Sequence, residues 1–575
     1  MIRNQSGGVA NLAALALVVL GAAGCSGGSG TPAPAASTAA AAKVNDINPM
    51  PREKLRDGGR LTWPLDQIPS NFNYYELDGT LQDTEYVTSA LIPSAFTSNA
   101  AGVPVWNPDL LAAEPVIRTE PQQVVTYEIN PRAVWYEGTP ITWQDFYWQW
   151  MSSNGRNKAY KISAATGYEN IGKIERGRDD REVVVTYKVP FADWQSLFGP
   201  LYPASTNKDP KVFNEGWVNA PLTTAGPFKL GSIDHTAKTI TLVRNEKWWG
   251  DPPKLDSIVY RFIDHSAWVD ALANGEIDAM DIGSDANQFQ RASQIPGVRV
   301  RVAGGPNFRH LTFNGSSPVL ADVRVRRALA MAIDRVAIAR ALLAPLQLPA
   351  EPLNNHIFMR NQEGYADNSG ETGTYDPARA ASLLDEAGWK LDSGLRRRNG
   401  QVLTVKGVIP SAVQTSRQEM ELIQNMLAQM GVKLDIQTVP TSDFFDKYVI
   451  PGQFDLTLFS WMGTPYPISS QKSLYAQPTK GPDGQQDVQQ NYARIGSPEL
   501  DQQFDRASRE FDRARAEQIM NQADAMIWNE VHSLTLYQRP ELIACKTGLA
   551  NFGAFGFAQP WRYQDIGWMA APDSH

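Results

Sequence analysis

The apolar and polar positions of this chain change period several times, and each change predicts an element. From Ser416 to Met430 apolar residues recur at helical spacing, and Gly431 is placed to end the helix. Directly afterwards Val432, Leu434, Ile436 and Thr438 alternate with Lys433, Asp435 and Gln437, the period-two pattern of a half-buried strand. The stretch from Phe454 to Trp461 is mostly apolar, which predicts a strand covered on both faces. Asp376-Pro377 starts a helix, because the carboxylate can cap free amides and proline's fixed φ suits a first turn; Gly388 supplies the stop. Ser497-Pro498-Glu499 opens another helix in the same way. Glu541 to Cys545 reads as one more strand, with Cys545 a small buried hydrophobe. Alternating strand and helix signals predict an α/β architecture.

The N-terminal pattern is different. Arg3 precedes an apolar run from Val9 to Leu20, broken only by Asn11 and followed by Gly21-Ala22-Ala23-Gly24-Cys25. The run is shorter than the roughly 20 residues that span a bilayer. Its layout is that of an export signal, and small residues before a cysteine resemble the lipobox of lipoproteins, with Ala22 where Leu is usual. The resemblance implies a signal peptide over 1–24 and acylation of Cys25. Residues 26–42 are only Gly, Ser, Thr, Ala and Pro, a composition with too little apolar surface to fold. Residues 25–45 are therefore expected to be a flexible tether. With Cys25 acylated, Cys545 has no disulfide partner.

Composition narrows the function classes. Of the 575 residues 42% are hydrophobic, enough for a large globular body in several domains. A formal charge of −8 without a Lys/Arg-rich block argues against nucleic acid. Sixteen Trp, many beside Pro, Gly or Asn, suit the lining of a ligand groove as well as a core. No nucleophile elbow, P-loop, HExxH or CxxC is present. The six His, at 235, 265, 310, 356, 532 and 575, lack metal-ligand spacing. No catalytic residue, metal or cofactor is expected.

Five segments, taken in order, resemble the family 5 extracellular solute-binding proteins, receptors of ABC importers for peptides and related solutes. They are the stretch from Tyr127 to Phe146, with a turn at Gly138 and a helix capped by Thr142; Ala225-Gly226-Pro227-Phe228 with Arg244 to Gly250; Asn274 to Ala279; Phe313-Asn314 with Asp322 to Arg335; and Glu386-Ala387-Gly388-Trp389. Pro352 to His356 and Gly364 to Gly370 are similar to a narrower group, the oligopeptide-binding lipoproteins of mycobacteria and their relatives.

The resemblance implies a two-lobed α/β fold, the type II periplasmic-binding-protein fold with an extra inserted domain (cluster C). Lobe one is expected from residues 46–77, 213–306 and 533–575, the insert from 78–212 and lobe two from 307–532. Ligand enters between lobes that close over it. The family holds an extended peptide through its backbone and leaves hydrated room for side chains. Carried onto this sequence, the contact positions are Tyr74, Asp78, Gly79, Thr80, Asp281, Ile282, Ser460, Trp461, Met462 and Thr464. Thr464 stands where peptide-binding members usually have an Asp that pairs with the peptide's ammonium group, and the strand before it carries no cation. The implied partners are an oligopeptide or similar solute, the importer's permease and, through it, the ATPase. The implied location is the extracytoplasmic face of the cell membrane, as a lipid-anchored monomer. Two other readings stay open: the same fold binding a glycolipid, oligosaccharide or other non-peptide solute, and a non-transporting lipoprotein that regulates envelope assembly. A hydrolase has least support, since no nucleophile–base set is visible.

Overall fold

The computed structural model describes residues 44–411, 413–480, 486–558 and 562–570. The expected signal segment, Cys25 and nearly all of the tether lie outside the described residues. Among the described residues no helix is long and apolar enough to cross a membrane.

Local signals place several elements. The helix Pro377–Glu386 is capped by the Asp376 carboxylate, which accepts from the Arg379 amide at 2.9 Å, and Gly388 follows at φ +84°. The helix Trp143–Ser153 begins with a reciprocal capping box between Thr142 and Asp145. The helix Gln414–Gln429 leads through Gly431, at φ +75°, into the strand Lys433–Val439. That strand keeps Val432 and Leu434 in one core but leaves Thr438 exposed. Val439 turns to the opposite face and joins Phe444, Val449, Phe454 and Phe459 in a small separate core. The strand Leu456–Met462 is covered on both sides, Leu456 and Leu458 by one core and Phe459 by the other.

Three sheets organise the body. The first orders Arg60–Leu65, Ser257–Phe262, Thr239–Arg244 and Phe228–Asp234, its first pair parallel and the rest antiparallel. The second is antiparallel and lies within the expected insert: Val116–Arg118, Val124–Glu128, Glu182–Tyr187 and Ile171–Arg176. Both share one apolar core, in which Leu61, Leu242 and Tyr260 pack with Val125, Tyr127 and Val185. The third sheet has six strands in the order Ala279–Asp281, Ser533–Lys546, Val298–Phe313, Leu456–Met462, Thr404–Pro410 and Lys433–Val439. Its helical cover includes Val323–Met331, Arg335–Leu343 and Gln414–Gln429, and their apolar faces fill a second core.

Two long strands join these bodies. Val298–Phe313 has 16 residues and Ser533–Lys546 has 14, paired antiparallel along most of their length. At one end their alternate side chains divide between the cores: Cys545 enters the first, Leu542 and Ala544 the second. The short strand Ala279–Asp281 divides likewise, Ala279 from Met280. The expected boundaries at 306/307 and 532/533 thus fall within, and at the start of, strands that run through both halves.

Candidate functional site

The pairing of the two long strands is interrupted between Gly304 and Phe308. Pro306 has no amide hydrogen for the ladder, which suits it to such a break. Gly305 lets the opposite strand come close: a Cβ there would stand 2.9 Å from the Arg539 carbonyl. The interruption turns Gly305, Pro306 and Asn307 toward a cavity of about 780 Å³. Its walls come from the first sheet at Trp63–Leu65, from the loop 281–287, from the start of the helix Gln414–Gln429, and from Phe552–Gly556. A second compartment of about 260 Å³ lies beyond, walled by Tyr74, Glu85, Ser89, Phe96, Gln195, Pro465 and Tyr466 among others. Pro306, Met462 and Gly556 line both, so the two compartments adjoin there and are treated as one cleft.

Charge in this cleft is mostly negative. The larger compartment is lined by Asp66, Asp83, Asp281, Asp285 and Glu541, against Arg539 and His265. Asp281 reaches cavity solvent, yet the protein around it displaces bulk water and raises its carboxyl. The Gly283 amide, at 2.7 Å, and the Arg539 charge oppose that rise. Burial pushes Glu541 up to about 8, even though the Gly556 amide donates to it at 2.7 Å. The Arg539 guanidinium is lowered, chiefly by burial, and its Nε donates to Ser284 Oγ at 3.3 Å. In the smaller compartment burial alone raises Glu85 to about 7. Asp109, also raised by burial, accepts from Gln564 Nε2 at 2.9 Å and lies 3.5 Å from Arg562. No Lys, Arg or His is among the described residues lining this compartment. Among the described residues, no three His, Cys, Asp or Glu side chains are grouped to hold a metal ion.

The structure brings four of the expected contact residues to the cleft. Tyr74 walls the smaller compartment, Asp281 and Ile282 line the larger, and Met462 lines both. The other six have partners elsewhere. Asp78 is exposed, its carbonyl accepting from Ser70 Oγ at 3.0 Å. Gly79 is pressed against the Asn73 carbonyl, where a Cβ would come within 2.0 Å. Thr80 Oγ1 donates to the carbonyls of Tyr74 at 2.8 Å and Glu76 at 3.0 Å, so this stretch shapes the loop that carries Tyr74. Ser460 Oγ faces Arg309 at 3.5 Å. Trp461 is half-buried in an aromatic stack, its ring centroid 5.8 Å from His310 and 5.7 Å from Tyr492. Thr464 Oγ1 accepts from the Tyr466 amide at 3.1 Å and lies 3.0 Å from Ser470 Oγ in the helix Pro467–Tyr475 that follows. Sequence reasoning missed Glu85, Arg539, Glu541 and Pro306. Pro306 follows two glycines, the one local signal among them.

A profile of bacterial extracellular solute-binding proteins, family 5 (middle region), matches residues 108–483. The chain is 40% identical over 530 residues to the oligopeptide-binding protein OppA of Mycobacterium tuberculosis, covering 92% of this chain and 87% of that one. It is 28% identical over 366 residues to a probable monoacyl phosphatidylinositol tetramannoside-binding protein, LpqW, of the same species, covering 60% and 56% respectively. Among solved structures, the periplasmic EDTA-binding protein EppA superposes with a TM-score of 0.82 at 27% identity, over 92% of this chain and 98% of that one. The oligopeptide-binding protein AppA of Bacillus subtilis, solved with a nonapeptide, gives 0.71 at 18% identity over 90% and 100%. The last likeness is one of fold.

Proposed function

We propose that this chain, which belongs to family 5 of the bacterial extracellular solute-binding proteins, captures an oligopeptide in the cleft and delivers it to the permease of an ABC importer. The observation that carries this reading is the pair of adjoining compartments. Lined in common by Pro306, Met462 and Gly556, at about 780 and 260 Å³, they give room for several residues of a bound chain. The walls come from both halves of the molecule, and two long strands connect those halves. A ligand that touches both halves favours the closed arrangement by the difference in contacts it makes. The 40% identity to a mycobacterial oligopeptide-binding protein over most of both chains supports the peptide as ligand.

In this reading Cys25 carries the lipid that holds the receptor at the outer face of the cell membrane, and the tether gives it reach to the permease. Of the expected contact residues, Tyr74, Asp281, Ile282 and Met462 stand on the cleft wall and are assigned to the ligand. A non-peptide solute is the second reading, favoured by the neutral Thr464 and by the likeness to a protein named as a probable monoacyl phosphatidylinositol tetramannoside-binding protein. Native mass spectrometry of the purified protein separates the two. A ladder of co-purified peptide masses is expected, whereas one recurring non-peptide mass would overturn the peptide reading.

A further inference from the structure

We infer that the smaller compartment is a subsite for a cationic group, ammonium or guanidinium, and that the Glu85 carboxylate is its counter-ion. The inference rests on the cleft being the ligand site and adds which charge the ligand brings to one end of it.

Glu85 lies on the helix Gln82–Thr88, in the wall of the compartment. Among the described residues its carboxylate has neither a hydrogen-bond donor nor an ion-pair partner. The other acid of the compartment is engaged: Asp109 faces Gln564 Nε2 and Arg562. Tyr74 stands on the same wall, and its hydroxyl has no hydrogen-bond partner among the described residues. It is close enough to Glu85 for the Glu85 charge to disfavour ionisation of that hydroxyl. The compartment therefore offers acceptors with no cation among its described lining residues.

Holding a carboxylate in such a place without a partner is costly, and the rise of Glu85 to about 7 registers that cost. A cation entering the compartment removes it, because an opposite charge nearby favours the ionised form. An acidic group entering the same space meets Glu85 and Asp109 and is rejected by like charge. The subsite thus selects for charge, and the rest of the ligand is left to the larger compartment.

Peptides supply such a group from two sources, the N-terminal ammonium or a Lys or Arg side chain. Four probes distinguish them by calorimetry on the purified full chain at fixed ionic strength: penta-alanine, its N-acetylated form, and N-acetylated pentapeptides with a central Lys or a central Gln. For at least one cation source, the charged probe is expected to bind roughly ten- to a hundredfold more tightly than its neutral counterpart. Glu85→Gln, with an unchanged melting temperature, should erase that ratio, and Glu85→Asp should keep part of it. A wild-type protein indifferent to probe charge overturns the inference. So does a ratio that survives in Glu85→Gln.

If no peptide binds the wild-type chain, the peptide reading fails and the subsite is tested alone with argininamide, which carries both kinds of cation and no carboxylate. Thermal stabilisation of the wild type but not of Glu85→Gln supports the subsite, and equal or absent stabilisation of both overturns it.

Discussion

Arg309 Nε lies 3.1 Å from both carboxylate oxygens of Glu419, with both side chains buried. The pair ties the long strand Val298–Phe313 to the helix Gln414–Gln429, whose first turn lines the cleft. Tyr537, on the other long strand, donates its hydroxyl to Glu419 Oε1 at 2.7 Å, and Ser416 Oγ accepts from Arg309 at 2.9 Å. Three elements that bound the ligand space therefore share one buried polar cluster.

Removing one member leaves the other charge buried and unpaired. Glu419→Ala is expected to cost about 3–5 kcal/mol. The double change Arg309→Met with Glu419→Leu should cost less than Glu419→Ala alone, because no orphan charge remains. Urea unfolding of wild type and the variants measures both. A double variant less stable than the single would show that the cluster contributes more than the cancellation of two charges.

Glu541 predicts how stability depends on pH. Its ordinary value is 4.5, and burial raises it to about 8 in the fold, with Asp281 the charged group acting on it. Well below 4.5 the carboxyl holds its proton folded or unfolded, and the shift has no effect. Above that value the unfolded chain releases the proton while the folded chain keeps it until about 8, so this group lowers stability progressively across that window. Glu541→Gln removes the penalty while retaining an acceptor for the Gly556 amide. Relative to wild type, the variant should gain stability between about pH 5 and about pH 8, read by urea unfolding at each. A difference that is the same at both pH values would contradict the raised carboxyl.

These groups also mark what the sequence could not convey. Asp376, Gly388 and the Thr142 cap were legible because each needs only neighbours within a few residues. The helix and strand flanking Gly431 were legible from periodicity, yet Val439 turned to a second core that no local pattern announces. Glu85 and Glu541 look like ordinary acids in sequence. Only the assembled cleft strips water from them. Trp461 and Thr464 illustrate the converse. Their positions suggested ligand contact, while His310, Tyr492 and the helical Ser470 hydroxyl give them partners of their own.

The proposed membrane attachment through Cys25 gives a prediction independent of the cleft. Cys25→Ser should abolish metabolic incorporation of labelled palmitate and move the protein from the membrane fraction to the medium or wash. Ligand binding by the purified variant should be unchanged, because the tether sequence carries no group suited to recognition. Retention of Cys25→Ser in the membrane fraction, with no label, would mean that something other than acylation holds the protein there.

Met462 lies where the two compartments meet, 53% exposed at the end of the strand Leu456–Met462. An exposed site away from caps and buried networks tolerates substitution, so Met462→Ala and Met462→Lys should each stay within about 0.5 kcal/mol of wild type in urea unfolding. Their effects on ligand should separate. Alanine removes one flexible apolar contact from the junction and is expected to weaken binding only several-fold. Lysine brings a cation to a compartment lined by Asp281, Asp285 and other acids, where it can pair with a carboxylate and occupy the passage between compartments. A loss of tenfold or more is expected for the lysine variant, measured by calorimetry with a peptide long enough to enter both compartments. Wild-type affinity in Met462→Lys would mean that the ligand does not cross the junction, and the two compartments would then have to be treated as separate sites.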